Sequence, residues 1–470
     1  MITVMNQVPL KLFDTYTRET REFKPLEGNQ VRVYCCGPTV YNYAHIGNAR
    51  PPIVSDILVR LLRSLYPKVT YVSNITDIDD KIIKASQEQK LSIGEITKKF
   101  ETIYNDDLKA LGVMPPDLQP RATEHIPEMI VQIHKLLENG YAYEAEGHVL
   151  FNVASFPKYG SLSGRDKDEQ IAGSRVEVAP YKKDPTDFVL WKPSSDNDPG
   201  WDSPWGFGRP GWHLECSAMS EKTLGVPFDI HLGGQDLIFP HHENELAQCC
   251  GVHDNTEDVS VYSNYWIHNG MIKFDGDKMS KSLGNIEYIH NLLDQNNGET
   301  LRMVLLSTHY RQPLNWSVKP IEQAKKNLDR LYRIIKKSDS INYKQDTDPS
   351  SSIIEALCDD LNTPEALGRF NILVNSLNDA PESEQGIILS KIKSSAQLLG
   401  ILQEDPDKWL GYKTNNIGMD DTLINSLIEE RNKFRSEKDF KKADQIRDEL
   451  KKNGIEIEDS SQGTTWRSVK

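Results

Sequence analysis

The stretch Val31–Arg50, VRVYCCGPTVYNYAHIGNAR, limits the fold of this chain more than any other segment. Val31–Tyr34 is a short β-branched and aromatic run that reads as a strand, and Gly37-Pro38 ends it. Ala44–Asn48 (AHIGN) then opens an apolar-periodic segment with Ile53, Ile57, Leu58, Leu61 and Leu62 at helical spacing. A strand, a Gly/Pro turn and a helix start make the first unit of a nucleotide-binding α/β fold, in which phosphates lie against the helix N-terminus and its free N–H groups. There His45 can donate to an oxyanion, and Gly47 lets a ligand approach the backbone. Alone the tripeptide says little, because a histidine beside a glycine is more often structural filler.

Lys273–Asn285, KFDGDKMSKSLGN, changes that balance by placing Lys278 and Lys281 on a Gly- and Ser-rich loop too polar for a core. HIG near the N-terminus together with KMSKS past the middle is far more specific than either. The combination resembles the paired ATP signatures of class I aminoacyl-tRNA synthetases. Asn74–Lys81 (NITDIDDK), Gly211–Met219 (GWHLECSAM) and Phe239–Glu245 (FPHHENE) narrow this further. Together they resemble the cysteinyl-tRNA synthetase family from about Leu10 to Arg467. Asn48 stands where the family signature often ends in His, and its amide can still donate to a ribose or phosphate oxygen.

Composition agrees with a soluble, multi-domain chain. Its 470 residues leave room for two to four domains, and 38% hydrophobic with 26% charged residues is ordinary for a globular protein. The N-terminus MITVMNQVPLKLF lacks the basic and apolar regions of a signal peptide, and no apolar run is long enough to span a bilayer. A cytoplasmic protein without a membrane partner is expected. The net charge of −14 argues against nucleic-acid binding by the whole surface and asks for a local basic face instead. Six cysteines without CxxC spacing are no disulfide framework. They read as reduced thiols, some of them available to a metal.

Along the chain, Leu10–Tyr34 supplies edge and first strands and Tyr71–Ile75 the next parallel strand, completing a βαβ unit. Ile82–Leu111 reads as helical, and Ile126–Leu137 as an amphipathic helix ending at Gly140. Short strand-like runs follow over Tyr141–Trp191, then a strand at Phe228–Leu232 with a helix starting near Pro240. Ile321–Ile335 and Ile353–Leu361 are long helical patterns, and Asp420–Lys470 reads as two helices and a strand-like IEIED. The expected fold class is α/β: a class I synthetase Rossmann-like catalytic domain over 1–316, with a small, strand-poor insertion at about 126–204 and the KMSKS loop at 278–282. An all-α helical bundle at 317–402, a linker at 403–419 and a small C-terminal anticodon-binding unit at 420–470 follow.

His241 and Glu245, four apart on a helix, share one face. With Cys36 and Cys216 they offer a zinc-compatible set, although a cysteine beside a strand is as often a small buried hydrophobe. The resemblance carries the family's zinc ligands onto these four residues, one Zn²⁺ per subunit. It leaves Cys35, Cys249, Cys250 and Cys358 as packing residues. His213, His231 and His242 cluster nearby and read as candidates to orient a ligand. The resemblance places Thr76, Trp212 and His231 in the cysteine pocket, and Gly234 and Asp236 at the ATP ribose. By residue type alone Asp236 also reads as an N-cap.

The implied reaction joins L-cysteine to tRNA(Cys) through an adenylate. Negative charge grows on the ATP phosphates as pyrophosphate leaves, and Lys278, Lys281, His45 and Asn48 would meet it, with Mg²⁺ accompanying ATP. In the terminal unit Arg435, Lys438, Lys441, Lys442 and Arg447 recur at helical spacings, a pattern that by itself is usually a solvated face. Trp466 offers a stacking surface and Arg467 a phosphate partner. The resemblance adds Arg435, Asp444, Arg447 and Asp459 as readers of anticodon edges, in a chain expected to act as a monomer. Two alternatives use the same motifs. A cysteine ligase with an amino-sugar acceptor would not need the terminal unit, and a noncatalytic zinc protein that binds RNA would have lost a lysine or a zinc ligand.

Overall fold

The computed structural model describes residues 8–166, 168–169, 179–195, 198–274, 277–278, 286–345, 347–411, 421–460 and 463–468. It divides into two compact units, Met1–Ile321 with Pro349–Asn371 and Leu398–Ile401, and Glu322–Asp348 with Ile372–Gln397 and Leu402–Lys470.

In the first unit, β1 (Lys11–Asp14) and β2 (Glu19–Glu22) form a separate antiparallel hairpin. β3 (Gln30–Cys35), α1 (Ile46–Leu65) and β4 (Lys68–Ser73) then make a parallel βαβ unit. α1 is buried nearly all round, at Ile46, Ile53, Ile57, Leu58, Leu61 and Leu62 among others, which explains why its apolar pattern is denser than one stripe. The helix expected over Ile82–Leu111 is two helices, α2 (Asp80–Gln89) and α3 (Ile93–Ala110). Lys90 interrupts them in the left-handed region at φ 56°, and a Ser92/Glu95 capping box restarts the chain.

α4 (Ile126–Glu138) leads into the insertion. Contrary to the strand-poor expectation, this holds a four-stranded antiparallel sheet of β5 (Ala142–Ala145), β6 (His148–Phe151), β7 (Phe188–Pro193) and β8 (Gly208–Pro210). Its short strands are bought into order by burial of Val149, Leu150, Phe151, Leu190 and Trp191. α5 (Trp212–Leu224) returns to the parallel sheet, where β9 (Phe228–Gly234), α6 (Glu243–Val252) and β10 (Ser263–Asn269) form a second strand-helix-strand unit. A non-α turn, Ile238–His242, precedes α6, so the helix expected near Pro240 begins three residues later.

The parallel sheet runs β10-β9-β3-β4. β3 and β9 are neighbours, yet the chain leaves one toward β4 and the other toward β10. That reversal is a topological switch point, and the crevice beyond the carboxyl ends of such strands is where ligands bind in open α/β sheets. A small mixed sheet of β11 (Ile272–Phe274), β12 (Asp277–Lys278) and β13 (Leu314–Trp316) follows, with α7 (Ile289–Gln295) and α8 (Gly298–Leu306) between its last two strands.

Four helices follow: α9 (Val318–Lys337), α10 (Ser351–Cys358), α11 (Thr363–Asp379) and α12 (Glu382–Leu399). α9 buries Ala324, Leu328, Leu331, Tyr332 and Ile335, a single helical stripe. Leu361, expected inside a helix, has φ 52° and lies beyond α10. The stretch expected as a linker holds a short helix, α13 (Pro406–Leu410), capped by Asp405, while residues 412–420 lie outside those described. Within the second unit Trp409 stacks on Tyr332 at 4.5 Å and donates to Asp329. The chain ends in α14 (Asp421–Ser436), α15 (Phe440–Lys452) and the hairpin β14 (Ile455–Ser460) and β15 (Gly463–Ser468). Ile424, Ile428, Ile446, Leu450 and Ile455 give these last elements a core of their own. No described helix is long and apolar enough to cross a membrane.

Candidate active site

Every strand of the parallel sheet delivers candidate site residues or cavity-lining residues at or just beyond its carboxyl end. Cys36 and Gly37 follow β3, Asn74 and Thr76 follow β4, Gly234 ends β9, and Gly270 and Met271 follow β10. Gly37 is required there: a Cβ on it would lie 1.6 Å from the Asn74 carbonyl oxygen. Its N–H donates to Asn74 Oδ1 at 2.8 Å, pinning β3 to the segment after β4.

Beyond these ends lies a cavity of about 360 Å³, lined by Cys36, His45, Gly47, Asn48, Trp212 and Asp236 among others. His45 is the N-cap of α1, and Asn48 Oδ1 accepts its backbone N–H at 3.0 Å. The amide oxygen of Asn48 thus completes the helix start and leaves the NH₂ as its donor toward a ligand. Burial lowers the His45 pKa, with Asp236 opposing, which favours the neutral imidazole. Pro51 and Pro52 fall inside α1 and cannot donate to the carbonyls of Gly47 and Asn48. Gly234 caps the turn Gln235–Leu237, which carries Asp236 exposed at the cavity. A second cavity of about 280 Å³ shares Trp212 with the first and reaches His213, Glu215 and Phe239.

Cys36, Cys216, His241 and Glu245 place their donor atoms within 4.8 Å of one another. Cys36 Sγ lies 3.5 Å from Glu245 Oε1, and His241 Nε2 lies 3.0 Å from the same oxygen. The far atoms are held from behind. His241 Nδ1 shares a hydrogen bond with His213 Nδ1 at 2.9 Å, Tyr262 Oη donates to Glu245 Oε2 at 2.7 Å, and Cys216 Sγ donates to Asn74 Oδ1 at 3.7 Å. Two thiols, an imidazole and a carboxylate, all buried and oriented by outer hydrogen bonds, fit a zinc ion. A second set, Cys36, His231, His242 and Glu245, meets the same distance. It shares two members with the first and has one thiol fewer, so it is the harder site.

Electrostatics follow from this crowding. The hydrogen bond from Cys36 brings the Cys216 thiol down to about 7 against its burial, with His241 assisting. Burial and the neighbouring Cys216 push Cys36 well above the usual thiol range. Burial pulls His241 down, but Glu245 and Cys216 outweigh it and lift the imidazole to about 10. Burial holds His231 at about 4. The cluster therefore carries one thiol ready to ionise beside an imidazolium and a carboxylate.

Two residues expected in the substrate pocket line neither cavity. His231 is wholly buried on β9, with Nε2 3.5 Å from Cys36 Sγ and from Glu245 Oε2. Thr76 is 1% exposed, and its hydroxyl donates to Glu215 Oε2 at 3.0 Å. Trp212 lines both cavities, stacked on His241 with ring centroids 4.3 Å apart. Lys278 ends β12, where its backbone pairs with Lys273. Lys281 lies outside the described residues.

In the terminal unit, Arg431 holds Asp459 in a two-pronged pair at 2.9 and 2.8 Å, and Arg435 and the Thr464 hydroxyl join it. Arg435 and Asp459, both expected to face RNA, thus bind each other. Asp444 and Arg447 are exposed on α15. Trp466 is half-buried on the small core, its Nε1 donating to Asn425; Arg467 follows it on β15. Arg431, the Arg435 and Thr464 contacts assisting, holds the Asp459 carboxyl well below its usual range. A folded pKa that is depressed stabilises above the unfolded value of about 4 and loses that contribution as pH falls through the folded value. Hydrogen-exchange protection over 421–460 is therefore expected to fall below about pH 4 in the wild type, and Asp459→Asn should remove that pH dependence.

The sequence matches the family described as tRNA synthetases class I (C) catalytic domain over residues 22–326, the DALR domain over 352–404 and the cysteinyl-tRNA ligase anticodon binding domain over 421–467. It is 52% identical to the cysteine–tRNA ligase of Rhodospirillum rubrum over 464 residues, covering 98% of this chain and 100% of that one. It is 50% identical to the cysteine–tRNA ligase of Parvibaculum lavamentivorans over 469 residues, 99% of each. In three dimensions it is similar to Mycobacterium tuberculosis methionyl-tRNA synthetase in complex with methionyl-adenylate, at TM-score 0.57 and 15% identity, covering 81% of this chain and 93% of that one. A putative arginyl-tRNA synthetase from Campylobacter jejuni gives a TM-score of 0.55 at 13% identity, covering 81% and 95%. These likenesses carry the class I fold, and the near-full-length identity carries the family: the chain belongs to the cysteine–tRNA ligases among the class I aminoacyl-tRNA synthetases.

Proposed function

We propose that this chain ligates L-cysteine to tRNA(Cys) through a cysteinyl-adenylate. The observation that carries the reading is that the switch-point cavity is lined both by Cys36, one member of a soft metal-binding set, and by the oriented start of α1. A zinc ion held by Cys36, Cys216, His241 and Glu245 would supply a soft Lewis acid for the substrate sulfur as thiolate. The first donor set is preferred over the one with His231 and His242 because it offers two sulfurs. Trp212 walls the amino-acid pocket, and Thr76 and His231 support it from behind. Gly234 and Asp236 take the ATP ribose, Asp236 as a hydroxyl acceptor.

The cysteine carboxylate attacks the α-phosphorus, the bond to pyrophosphate breaks, and charge builds on the departing oxygens. Free N–H groups at the start of α1, with His45, Asn48, Lys278 and Lys281, stabilise that charge, and Mg²⁺ accompanies the ATP. The terminal ribose of the tRNA then takes the acyl group and AMP leaves. The proposed division is a catalytic domain at 1–316, a helical domain at 317–402, a connection at 403–419 and an anticodon-reading unit at 420–470. Within that unit Arg435, Asp444, Arg447, Asp459, Trp466 and Arg467 are the RNA contacts.

The test is pyrophosphate exchange into ATP with and without cysteine, followed by charging of bulk tRNA. Exchange without dependence on cysteine would overturn the substrate; exchange without tRNA charging would favour a different acceptor. Lys281→Ala is expected to slow exchange by roughly 10²-fold or more, as for loss of one transition-state donor. Cysteine binding should barely change, because the lysine acts on charge that develops only in the transition state.

A further inference from the structure

Arg50 lies two residues beyond Asn48 on α1 and is 1% exposed. Its guanidinium binds no carboxylate among the described residues. Instead Nη1 donates to the carbonyls of Gly270 at 2.6 Å and Met271 at 3.2 Å, and Nη2 to those of His309 at 3.2 Å and Gln312 at 2.6 Å. Desolvation makes this charge costly, and burial lowers the Arg50 pKa to about 10.

The four carbonyls belong to two segments that cross against the start of α1. One is the bend between β10 and β11, whose Gly270, Met271 and Ile272 line the cavity with His45, Gly47 and Asn48. The other is the turn 309–312. The crossing is tight: Gly270 N–H donates to Tyr310 O at 2.8 Å, Leu314 N–H donates to Met271 O at 3.0 Å, and a Cβ on Gly270 would meet Gln312 O at 2.7 Å. β11 starts at Ile272, and its antiparallel partner is β12, which ends in Lys278. One side chain therefore fixes the helix that carries HIGN to the root of the hairpin that carries Lys278. A planar fork of five donors can satisfy four carbonyls in two directions; an ammonium on a flexible stem cannot hold that geometry.

We propose that Arg50 is a positioning residue for ATP, clamping the β10–β11 bend against α1 so that the two halves of the nucleotide site keep a fixed separation. This rests on the reading of the cavity as the ATP site. A useful contrast is Arg302, equally buried but ion-paired with Asp56 and bonded to Leu399 and Gly112 carbonyls, none of which lines the cavity. Arg302 is a structural residue, and Arg50 differs from it in what its partners line.

The experiment compares wild type, Arg50→Lys and Arg302→Lys in cysteine-dependent pyrophosphate exchange, with thermal unfolding on the same samples. Arg50→Lys is expected to lower kcat/KM for ATP by about 10²-fold, the scale of a small misplacement at a reacting centre, with the KM for cysteine within about twofold of wild type. Arg302→Lys should lower Tm and leave the KM for ATP unchanged. Gly270→Ala keeps Arg50 but pushes the Gln312 carbonyl off the crossing, and should reproduce the ATP-selective loss if Arg50→Lys does not fold. An ATP KM and kcat like wild type in Arg50→Lys or Gly270→Ala, or a KM raised equally for ATP and cysteine, would overturn the role of Arg50 alone. Wild type without cysteine-dependent exchange would instead overturn the site reading beneath it.

Discussion

Cys216→Ala is expected to abolish metal binding at the proposed zinc site and, with it, most of the preference for cysteine over serine. The two substrates differ by one heavy atom, and a pocket that judges size alone separates such pairs by only roughly 10²-fold. The insertion carries one four-stranded sheet of short strands, and the discrimination proposed here needs no further site. It comes from the affinity of a soft cation for a thiolate over an alcohol. Cys216 is the thiol brought down to about 7, with Cys36 as donor, so its loss removes the member of the set that ionises most readily. In the cobalt-substituted wild type, a thiolate-to-cobalt charge-transfer band should grow on titration with cysteine and not with serine. A spectrum indifferent to cysteine would mean that the metal is structural. In Cys216→Ala, metal content should collapse and the cysteine-to-serine ratio in pyrophosphate exchange should fall toward the size-only limit of about 10²-fold.

The resemblance marked this cluster more than spacing did: Cys36 beside a β-branched strand and His241 four residues before Glu245 are modest signals, and nothing local points to Cys216. The strand-turn-helix units around Val31–Arg50 and Phe228–Glu245 were legible locally, since period and turn residues are short-range signals. What escaped was set by contacts distant in sequence. β9 is buried over all seven residues, as a strand covered on both faces must be, and this places His231 against Cys36 and Glu245 and not on a cavity wall. The break at Lys90 depends on one residue in the left-handed region within an otherwise continuous helical pattern. Arg50 satisfies backbone carbonyls, which have no residue signature, and Asn74 acts through a close approach to Gly37 across two strands. Nothing local in the sequence singles out Arg431, and only the fold brings Asp459 to it from 28 residues away. Asn74 did lie within a motif, NITDIDDK, so its position was marked although its role was not.

Removal of residues 420–470 is expected to abolish efficient tRNA charging and leave cysteine-dependent pyrophosphate exchange largely intact. The segment has a core of its own in Ile424, Ile428, Ile446, Leu450 and Ile455, and none of its described residues lines the cavity proposed for the nucleotide. Its exposed face carries Arg447 and Asp444, while Asp459, Arg431 and Arg435 form a paired acid-base cluster. A carboxylate so paired is already oriented, and exchanging one arginine contact for a base edge costs less than ordering free side chains on binding. If two base contacts worth about 1–3 kcal/mol each are lost, charging should fall by roughly 10²-fold or more. Arg435→Ala and Arg447→Ala should each fall between wild type and the truncation in kcat/KM for tRNA, with no change in exchange. Arg431 is buried and holds Asp459 from below, so Arg431→Ala should lower the stability of the unit as well as charging. Near-normal charging by the truncated chain would mean that tRNA is read elsewhere, and loss of exchange on truncation would mean that the segment also supports the catalytic unit.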